Sequence, residues 1–244
     1  MVLIIKKIEE VNSELINLII FIVGLCLTLS SLWVTVAFTI LMSVGCSIMA
    51  SAIVSWITST YTIKRAKIKA IIDRWGLVGI YETRGEMNIY SDRKLETLSS
   101  TLDIIAFGLK SFRDSKSRLV EDKVRSGVKI RILTMNPHGE FVSQREKEEN
   151  ESPGSIKQSI ENLAEWVEHL KKIAPDKNDV QLKYYNSMTE DFYFCIDNKY
   201  LYTGPYLNGK GSQQTISYEY KKGEMLNFYS EYFNNLWECS ESSI

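Results

Sequence analysis

The stretch TEDFYFCIDNKYLYTGPYLNG, residues 189–209, decides the fold of the C-terminal part of the chain. Two runs rich in aromatic and aliphatic residues, 192–196 and 200–203, flank an Asp197-Asn198 pair. Such a pair between two strand-like runs predicts a tight turn, because Asp and Asn tolerate the left-handed backbone conformation that these turns need. A Gly-Pro step and a glycine-containing loop follow. The stretch therefore predicts a β-hairpin that opens into a loop.

Outward from this hairpin, strand-like and helical patterns alternate through residues 77–244. Periodic apolar residues predict helices at 91–102, 116–126, 155–174 and 225–237. Apolar or alternating runs predict strands at 103–109, 128–135, 180–185 and 215–221. The segment REKEENESPGS (145–155) is predicted to be a solvated loop or a frayed helix, and Ser155 is expected to cap the helix that follows. Alternating strands and helices imply an α/β sandwich with a mixed sheet.

The first sixty residues predict a membrane module. No charged side chain occurs between Glu14 and Lys64. That run is too long for one crossing, since about 20 residues span the hydrocarbon core of a bilayer. It divides near Ser30-Ser31 into two predicted helices, 15–29 and 33–56. A cleaved signal peptide fits poorly, because the apolar run is far longer than the core of such a peptide.

Basic residues give this module an orientation. They lie before the first predicted span and after the second, and the connecting turn has none: Lys6, Lys7, Lys64, Arg65, Lys67, Lys69 and Arg74. By the positive-inside rule, both termini face the cytoplasm. We therefore predict a multi-pass membrane protein with a two-helix transmembrane hairpin (1–62), a basic juxtamembrane linker helix (63–76) and a cytosolic α/β domain (77–244).

The second predicted span carries hydroxyl residues at every fourth position: Thr35, Thr39, Ser43, Ser47, Ser51 and Ser55. This spacing keeps them on one slowly drifting stripe of a helix. The stripe is either a packing seam, where small side chains let helices approach closely, or the lining of a water-filled path in an oligomer. The two interpretations are compatible. Both predict a homo-oligomer in which Ile48 and Ile53 point away from the seam.

Composition excludes several other classes of function. The 244 residues carry a formal net charge of −1, so no global basic field favours duplex nucleic acid. The four cysteines are too scattered for a disulfide framework or a zinc site, and we expect reduced thiols. No P-loop and no GxGxxG pattern occurs in the sequence. No cofactor or metal is therefore expected.

Several of these segments in combination resemble a known family. GVKIRIL (127–133), the hairpin with its ID…GPY pattern and the final YFNNLWE (232–238) look like one half of a phospholipase-D-like domain. The resemblance covers roughly residues 77–238. This segment is similar to the degenerate single-copy bacterial version of the domain, which is found beside regulatory or membrane modules. It implies a phospholipase-D-like α/β fold.

The resemblance also bears on catalysis. Active members of the family combine two His-x-Lys-x4-Asp motifs, in which His is the nucleophile and Lys binds phosphate. Asp197 matches the motif's Asp, but Glu190 and Phe192 stand at the His and Lys positions. Catalysis by this route requires the motif's His and Lys, and neither stands at its position in this sequence. We therefore predict that the chain is not an enzyme.

Six residues at predicted strand ends and loops form the candidate ligand site: Ser111, Arg113, Asn136, His138, Tyr206 and Lys210. A glycine-rich loop with a lysine suits an anionic ligand, although the same pattern is typical of an ordinary hairpin loop. Arg113 is the candidate bidentate phosphate partner, with a solvated arginine at a helix start as the alternative. His138 is either a surface loop residue or a displaced catalytic base. The adjacent Glu190 and Asp191 point to opposite faces of a strand, which disfavours a shared metal.

The leading hypothesis is a receptor in the inner membrane of a bacterium. Its catalytically dead phospholipase-D-like domain would bind a nucleotide or a short single-stranded oligonucleotide and control an oligomeric transmembrane pore, as in bacterial antiviral effectors. The expected partners are that ligand, the lipid bilayer and further copies of the chain, with a nucleotidyltransferase as one candidate source of the ligand. Two alternatives remain open. One is a membrane-tethered phosphodiesterase, nuclease or phospholipase with a non-standard active site, and the other is an anchored protein-binding scaffold.

Overall fold

The computed structural model describes residues 2–33 and 38–242. The chain divides into two compact units, Met1–Ile71 and Ile72–Ile244. The predicted domain boundaries, after residues 62 and 76, lie on either side of this division. Each unit is described by itself.

The N-terminal unit contains two long apolar helices. Helix α1 spans Val2–Ser30 and continues into a short 3₁₀ turn, and helix α2 spans Phe38–Ile57. By length and composition, two segments are able to cross a membrane, Leu15–Trp33 and Phe38–Trp75. The predicted start of the second span at Trp33 is wrong, since Trp33 ends the 3₁₀ turn. Thr35 of the predicted hydroxyl stripe lies outside the described residues.

Helix α2 leads without a break into a basic helix. A π-helical turn at Thr58–Ile63 follows α2, and α3 then spans Lys64–Trp75. A π turn inserts an extra residue into the helical hydrogen-bond ladder and often marks a functional position. Helix α3 occupies the segment predicted to be the basic linker.

Close glycine contacts hold α1 against α2. A Cβ atom added to Gly45 would lie 2.8 Å from the carbonyl oxygen of Gly24, so only glycine permits this approach. Ile48 lies in the same contact, because its Cγ2 would be 3.0 Å from a Cβ atom on Gly24. Ile48 therefore faces α1, and Ile53 is 45% exposed. That both point away from a seam between copies stays a prediction.

The C-terminal unit is built on a mixed sheet. Within the described residues the sheet has eight strands: β1 Leu77–Tyr81, β2 Thr101–Ile105, β3 Lys129–Met135, β4 Val180–Tyr185, β5 Asp191–Ile196, β6 Tyr200–Pro205, β7 Ser217–Lys221 and β8 Glu241–Ser242. Their order is β1-β7-β6-β5-β2-β3-β4-β8. Strands β2, β3 and β4 run parallel, and every other pairing is antiparallel. The predicted mixed α/β architecture is confirmed.

Among the described residues, five α-helices cover this sheet: α4 Arg84–Glu96, α5 Lys110–Arg125, α6 Glu140–Glu148, α7 Ser155–Ile173 and α8 Glu224–Glu238. One apolar core lies between the sheet and α4, α5 and most of α7. A second core lies on the opposite face, against α6, α8 and the first turns of α7. Both faces of the central strands are therefore buried, as is usual for parallel strands in α/β proteins.

The predicted hairpin is confirmed. Strands β5 and β6 pair antiparallel around Asp197 and Asn198, whose φ angles are 54° and 49°. Both residues thus adopt the left-handed conformation that the turn requires.

Several predicted boundaries are corrected by capping and tertiary contacts. The helix predicted at 91–102 is α4, which begins at Arg84, and residues 101–105 belong to β2 rather than to a helix. The strand predicted at 103–109 therefore ends at Ile105, and the helix predicted from 116 begins at Lys110.

The segment predicted to be solvated, residues 145–155, is also corrected. Helix α6 covers its first part and the Arg145 side chain is 2% exposed. Ser155 does not cap α7 with its side chain. Instead the Glu146 carboxylate accepts hydrogen bonds from the amides of Gly154, Ile156 and Lys157 at 2.9–3.3 Å.

Candidate functional site

A cavity of about 450 Å³ lies in the C-terminal unit, where the chain leaves the carboxyl end of β2. Its walls come from α4, the loop and helix start after β2, the first turns of α7 and the segment after β6. Small-molecule sites in proteins usually have volumes of 300–1,000 Å³. The cavity therefore has the size of a site for a small ligand.

Arg84 is the main cation of this cavity. A local capping signature places it at the start of α4: the Thr83 hydroxyl accepts a hydrogen bond from the Glu86 amide at 3.1 Å, and Glu86 reaches back to the amide of Glu82. The Arg84 side chain lines the cavity, yet the residue is only 9% exposed. Its guanidinium lies 3.7 Å from the centre of the Phe192 ring.

Arg84 has no ionic partner among the residues that the structure describes. Among the described residues, no carboxylate lies within ion-pair distance of its guanidinium. Removing a cation from water is costly unless an opposite charge or hydrogen bonds compensate for it. The contact with Phe192 compensates for part of the cost, since cation–π contacts are worth about 0.5–2 kcal/mol. A negatively charged ligand in the cavity would supply the rest.

Arg145 shows the contrasting arrangement. It is more deeply buried than Arg84, but its guanidinium pairs with Glu148 at 3.0 Å and Glu149 at 2.6 Å. Its charge is therefore neutralised within the protein. It lies 4.7 Å from the centre of the Tyr206 ring.

Tyr206 connects the two arginines. Its ring lies 5.9 Å from the Arg84 guanidinium, and its other neighbours include Phe107 at 4.5 Å between ring centres. Burial raises the pKa of Tyr206, and Arg84 acts in the opposite direction through its charge and hydrogen bonding. The phenol thus stays protonated at neutral pH and offers a hydrogen-bond donor to the cavity.

The segment after β6 closes one side of the cavity. The Gly209 amide donates to the carbonyl of Glu148 at 2.7 Å, and the Ser212 amide donates to the Glu149 carboxylate at 3.3 Å. The side-chain amide of Asn88, on α4, donates to Gln213 at 3.0 Å. These bonds hold residues 207–214 between α6 and α4.

The β2–α5 connection forms the opposite wall. Gly108 packs directly against Ser159 of α7, and a Cβ atom at this position would overlap the Ser159 side chain. Leu109 then adopts a left-handed conformation with φ 49° and precedes the first turn of α5. The start of α5, with Lys110 and Ser111, therefore faces the cavity.

The structure brings only two of the six predicted ligand residues to this cavity. Ser111 and Tyr206 line it. Arg113 has a different use from the one predicted, because its guanidinium donates to the carbonyls of Gly108, Ser159 and Asn162 at 3.0–3.4 Å. It ties α5 to α7 and is not oriented toward an external phosphate.

The other three predicted residues lie outside the lining of the cavity. The Asn136 side chain accepts a hydrogen bond from the backbone amide of His138 at 2.9 Å, which shapes the turn after β3. His138 and Lys210 are exposed. Asn136 and His138 follow β3, whereas the cavity opens beyond the neighbouring strand β2.

The three positions aligned with the catalytic motif also have separate environments. Phe192 is buried under Arg84, and Glu190 is exposed. Asp197 lies at the far end of β5, where its carboxylate binds the amides of Ser100 and Thr101 at the start of β2. It stabilises the sheet and does not reach the cavity.

Sequence reasoning missed Arg84 and Arg145. The signal for Arg84 was present in the Thr83-x-x-Glu86 pattern, which predicts a helix start and would have extended α4 to residue 84. Arg145 is followed by several acidic residues, and this charged composition predicts a solvated segment and not a buried arginine.

Within residues 15–33 and 38–241, no three His, Cys, Asp or Glu side chains are grouped so that they could hold a metal ion. Asp191 accepts a hydrogen bond from the Tyr229 hydroxyl at 2.8 Å, while Glu190 points to solvent.

Comparison with known proteins gives only structural likenesses. No protein-family model and no curated protein matches the sequence. TrmBL2, an archaeal chromatin protein, is 14% identical, with a TM-score of 0.44 over 81% of this chain and 71% of its own. Nuc from Salmonella typhimurium, a phospholipase D family member, is 11% identical, with a TM-score of 0.40 over 64% of this chain and 90% of its own. NucT from Helicobacter pylori is 12% identical, with a TM-score of 0.42 over 68% and 98%. At these scores the function has to be inferred from the cavity itself.

Proposed function

We propose that the chain is a non-enzymatic membrane receptor whose C-terminal unit binds a small anionic ligand, of the nucleotide class, in the cavity beside Arg84. One observation carries this proposal: a buried arginine, with no carboxylate partner in the described part of the chain, faces a cavity of ligand size. A cation in that position is stabilised by a bound anion.

The aromatic surroundings support a ligand with a ring. Phe107 and Tyr206 both line the cavity, and aromatic side chains stack on nucleobases with little dependence on the identity of the base. A phosphate on Arg84 and a base against these rings would use both features of the site.

The chain connectivity supports a link between the cavity and the membrane helices. Helix α3 is followed directly by β1 and then by α4, whose first residue is Arg84. The end of α3 is fixed to the sheet, because the Lys221 amide donates to the Gly76 carbonyl at 2.8 Å and Arg74 pairs with Glu224 at 2.7 Å. A ligand that repositions α4 would thus act on the segment that follows α3 and β1 in the chain.

The membrane part of the proposal rests on the two apolar helices. We propose that they form a hairpin in the inner membrane with both termini in the cytoplasm, that hairpins of several copies assemble into a pore, and that the ligand biases this assembly. Such control requires that the ligand binds two assembly states with different affinities. An antiviral role, with a nucleotidyltransferase as the source of the ligand, remains a prediction from the resemblance.

The enzyme alternative depends on a displaced catalytic base. His138, the residue it requires, is exposed on the turn after β3 and does not line the cavity. The cavity thus favours binding over catalysis.

Native mass spectrometry of the full-length protein, freshly purified in detergent, tests this function. We expect a co-purifying small molecule on the wild-type chain and on Arg93→Gln, whose exposed side chain lies on the same helix outside the cavity. Arg84→Gln should lose that mass, because the buried cation holds the anion. A wild-type chain without any bound mass, or an Arg84→Gln chain that keeps it, would contradict the proposal.

A further inference from the structure

The N-terminus of α5 opens into the same cavity as Arg84. The first amides of a helix have no partner inside the helix and carry a partial positive charge. Leu109, at the capping position of α5, offers no side-chain acceptor. Among the described residues, none caps Lys110, Ser111 or Phe112 with a carboxylate. These amides are therefore available to an anion.

Helix α7 provides an internal comparison. Its N-terminus also lies at the cavity, but the Glu146 carboxylate already binds the amides of Ile156 and Lys157 at 3.1 and 3.3 Å. The protein thus fills one helix N-terminus with its own carboxylate and leaves the other open. The open one is in the same cavity as the unpaired Arg84.

The charges of the cavity limit how many anionic groups it accepts. Lys116 forms an ion pair with Asp92 at 2.7 Å, and Glu149 forms one with Arg145 at 2.6 Å. Among the charged lining residues, this leaves Arg84 and Lys110 as cations and Glu151 as an anion. The positive charge suits one phosphate group, whereas a chain of phosphates would meet Glu151.

The size of the cavity also favours a ligand with a single phosphate group. Its volume of about 450 Å³ is in the lower half of the range for small-molecule sites. Proteins that bind single-stranded nucleic acid use a long positive groove with successive aromatic platforms. The aromatic residues of this site instead surround one compact space.

We propose that the ligand is a compact ring compound with a single phosphate group, of mononucleotide size, and that its phosphate lies between Arg84 and the N-terminus of α5. This rests on the proposed function, in which the cavity is the receptor's ligand site. The guanidinium and the helix amides bind the phosphate oxygens, the Ser111 hydroxyl adds a donor, and the ring lies against Phe107 and Tyr206. An oligonucleotide is thereby excluded from this cavity.

Calorimetry on the full-length protein in detergent tests the ligand class with four probes: inorganic phosphate, adenosine, adenosine 5′-monophosphate and linear triadenylate. We expect the monophosphate to bind about tenfold or more tightly than phosphate or adenosine alone, because it uses both halves of the site. Triadenylate should bind no more tightly than the monophosphate.

Two variants locate the phosphate. Arg84→Gln should weaken binding of the monophosphate about ten- to hundredfold, the range for a hydrogen bond to a charged group, while Arg93→Gln should leave it unchanged. Ser111→Asp places an acid in the first turn of α5, where it suits the helix dipole and occupies the anion site. It should therefore weaken binding at least tenfold without lowering the melting temperature, which keeps the test informative if Arg84→Gln does not fold.

The outcomes separate this inference from the proposed function. Triadenylate that binds tenfold more tightly than the monophosphate, in an Arg84-dependent manner, overturns the single-phosphate assignment and leaves the receptor proposal intact. Absence of Arg84-dependent binding for all four probes also overturns the assignment, and the receptor proposal then depends on the co-purifying mass. Unchanged affinity in Ser111→Asp would remove the α5 N-terminus from the site.

Discussion

Asp197 lies in the turn between β5 and β6, and its carboxylate accepts hydrogen bonds from the amides and hydroxyls of Ser99 and Ser100 and from the amide of Thr101. Burial raises the pKa of Asp197, but these hydrogen bonds outweigh it, so that the pKa is lowered from its ordinary value. The residue that aligns with a catalytic aspartate thus fastens the turn to the start of β2.

Asp197→Asn should lower the free energy of unfolding by roughly 1–3 kcal/mol at pH 7, because the variant loses hydrogen bonds to a charged acceptor. Asn tolerates the left-handed conformation, so the turn itself is kept. A lowered carboxyl pKa stabilises the fold above the unfolded-state pKa of about 3.9, and this contribution is lost as the pH falls through the folded-state pKa. The measurement is urea unfolding of both chains between pH 7 and pH 3.

The difference in stability between wild type and Asp197→Asn should narrow as the pH falls. Ser126→Ala is the control, because its exposed hydroxyl donates only to the carbonyl of Lys123, at the C-terminal end of α5. A difference that is constant across this pH range would show that the carboxylate charge contributes nothing.

At the scale of elements, the pair of apolar helices α1 and α2 has two distinct faces. Gly24 and Gly45 pack α1 against α2, whereas the described stripe residues from Thr39 to Ser55 are all exposed on this unit. The exposed stripe is available to another copy of the chain. Glycine substitutions and serine substitutions in α2 should therefore have different effects.

Gly45→Val should separate α1 from α2, because a Cβ atom at this position already approaches the Gly24 carbonyl to 2.8 Å. Ser47→Leu combined with Ser51→Leu should leave the hairpin intact but disturb assembly between copies, since larger side chains fill the proposed seam. The measurements are oligomer size in detergent and ion flux in cells that express the protein.

Ile53→Leu is the control for the serine variants, because Ile53 is exposed away from Gly24, whereas Ile48 contacts that glycine and is unsuitable. If the serine variants match the control in both oligomer size and ion flux, the pore proposal is contradicted and the two helices are only an anchor.

At the scale of the whole molecule, the proposed orientation in the membrane depends on basic residues. Helix α3 carries five of them after the second apolar helix. We expect a C-terminal alkaline phosphatase fusion to be inactive, because the positive-inside rule keeps this end in the cytoplasm. Replacing Lys64, Arg65, Lys67 and Lys69 with Gln should give a measurable fraction of active fusion.

Lys171→Gln combined with Lys172→Gln, at the end of α7, is the matched control and should leave the fusion inactive. Full phosphatase activity of the wild-type fusion would contradict the proposed orientation.

The sequence alone predicted the features that depend on local periodicity and turn chemistry. These include the two apolar helices, the alternation of strands and helices and the hairpin around Asp197. Each depends on residues close together in the chain. Their apolar side chains recur with the helical period of 3.6 residues or the strand period of 2, or their residue types favour a particular turn. The start of α4 is also encoded locally, by Thr83 and Glu86.

Only the tertiary structure decided which charged residues form the candidate site. Arg84 contacts Phe192, which is distant in the chain, and Arg145 forms ion pairs with two glutamates. Arg113 donates hydrogen bonds to backbone carbonyls. In sequence these three arginines are equivalent, because each is a cation near a helix start or within a polar segment. Their roles differ because burial and partners depend on which distant segments pack together, and electrostatic energies change severalfold with that environment.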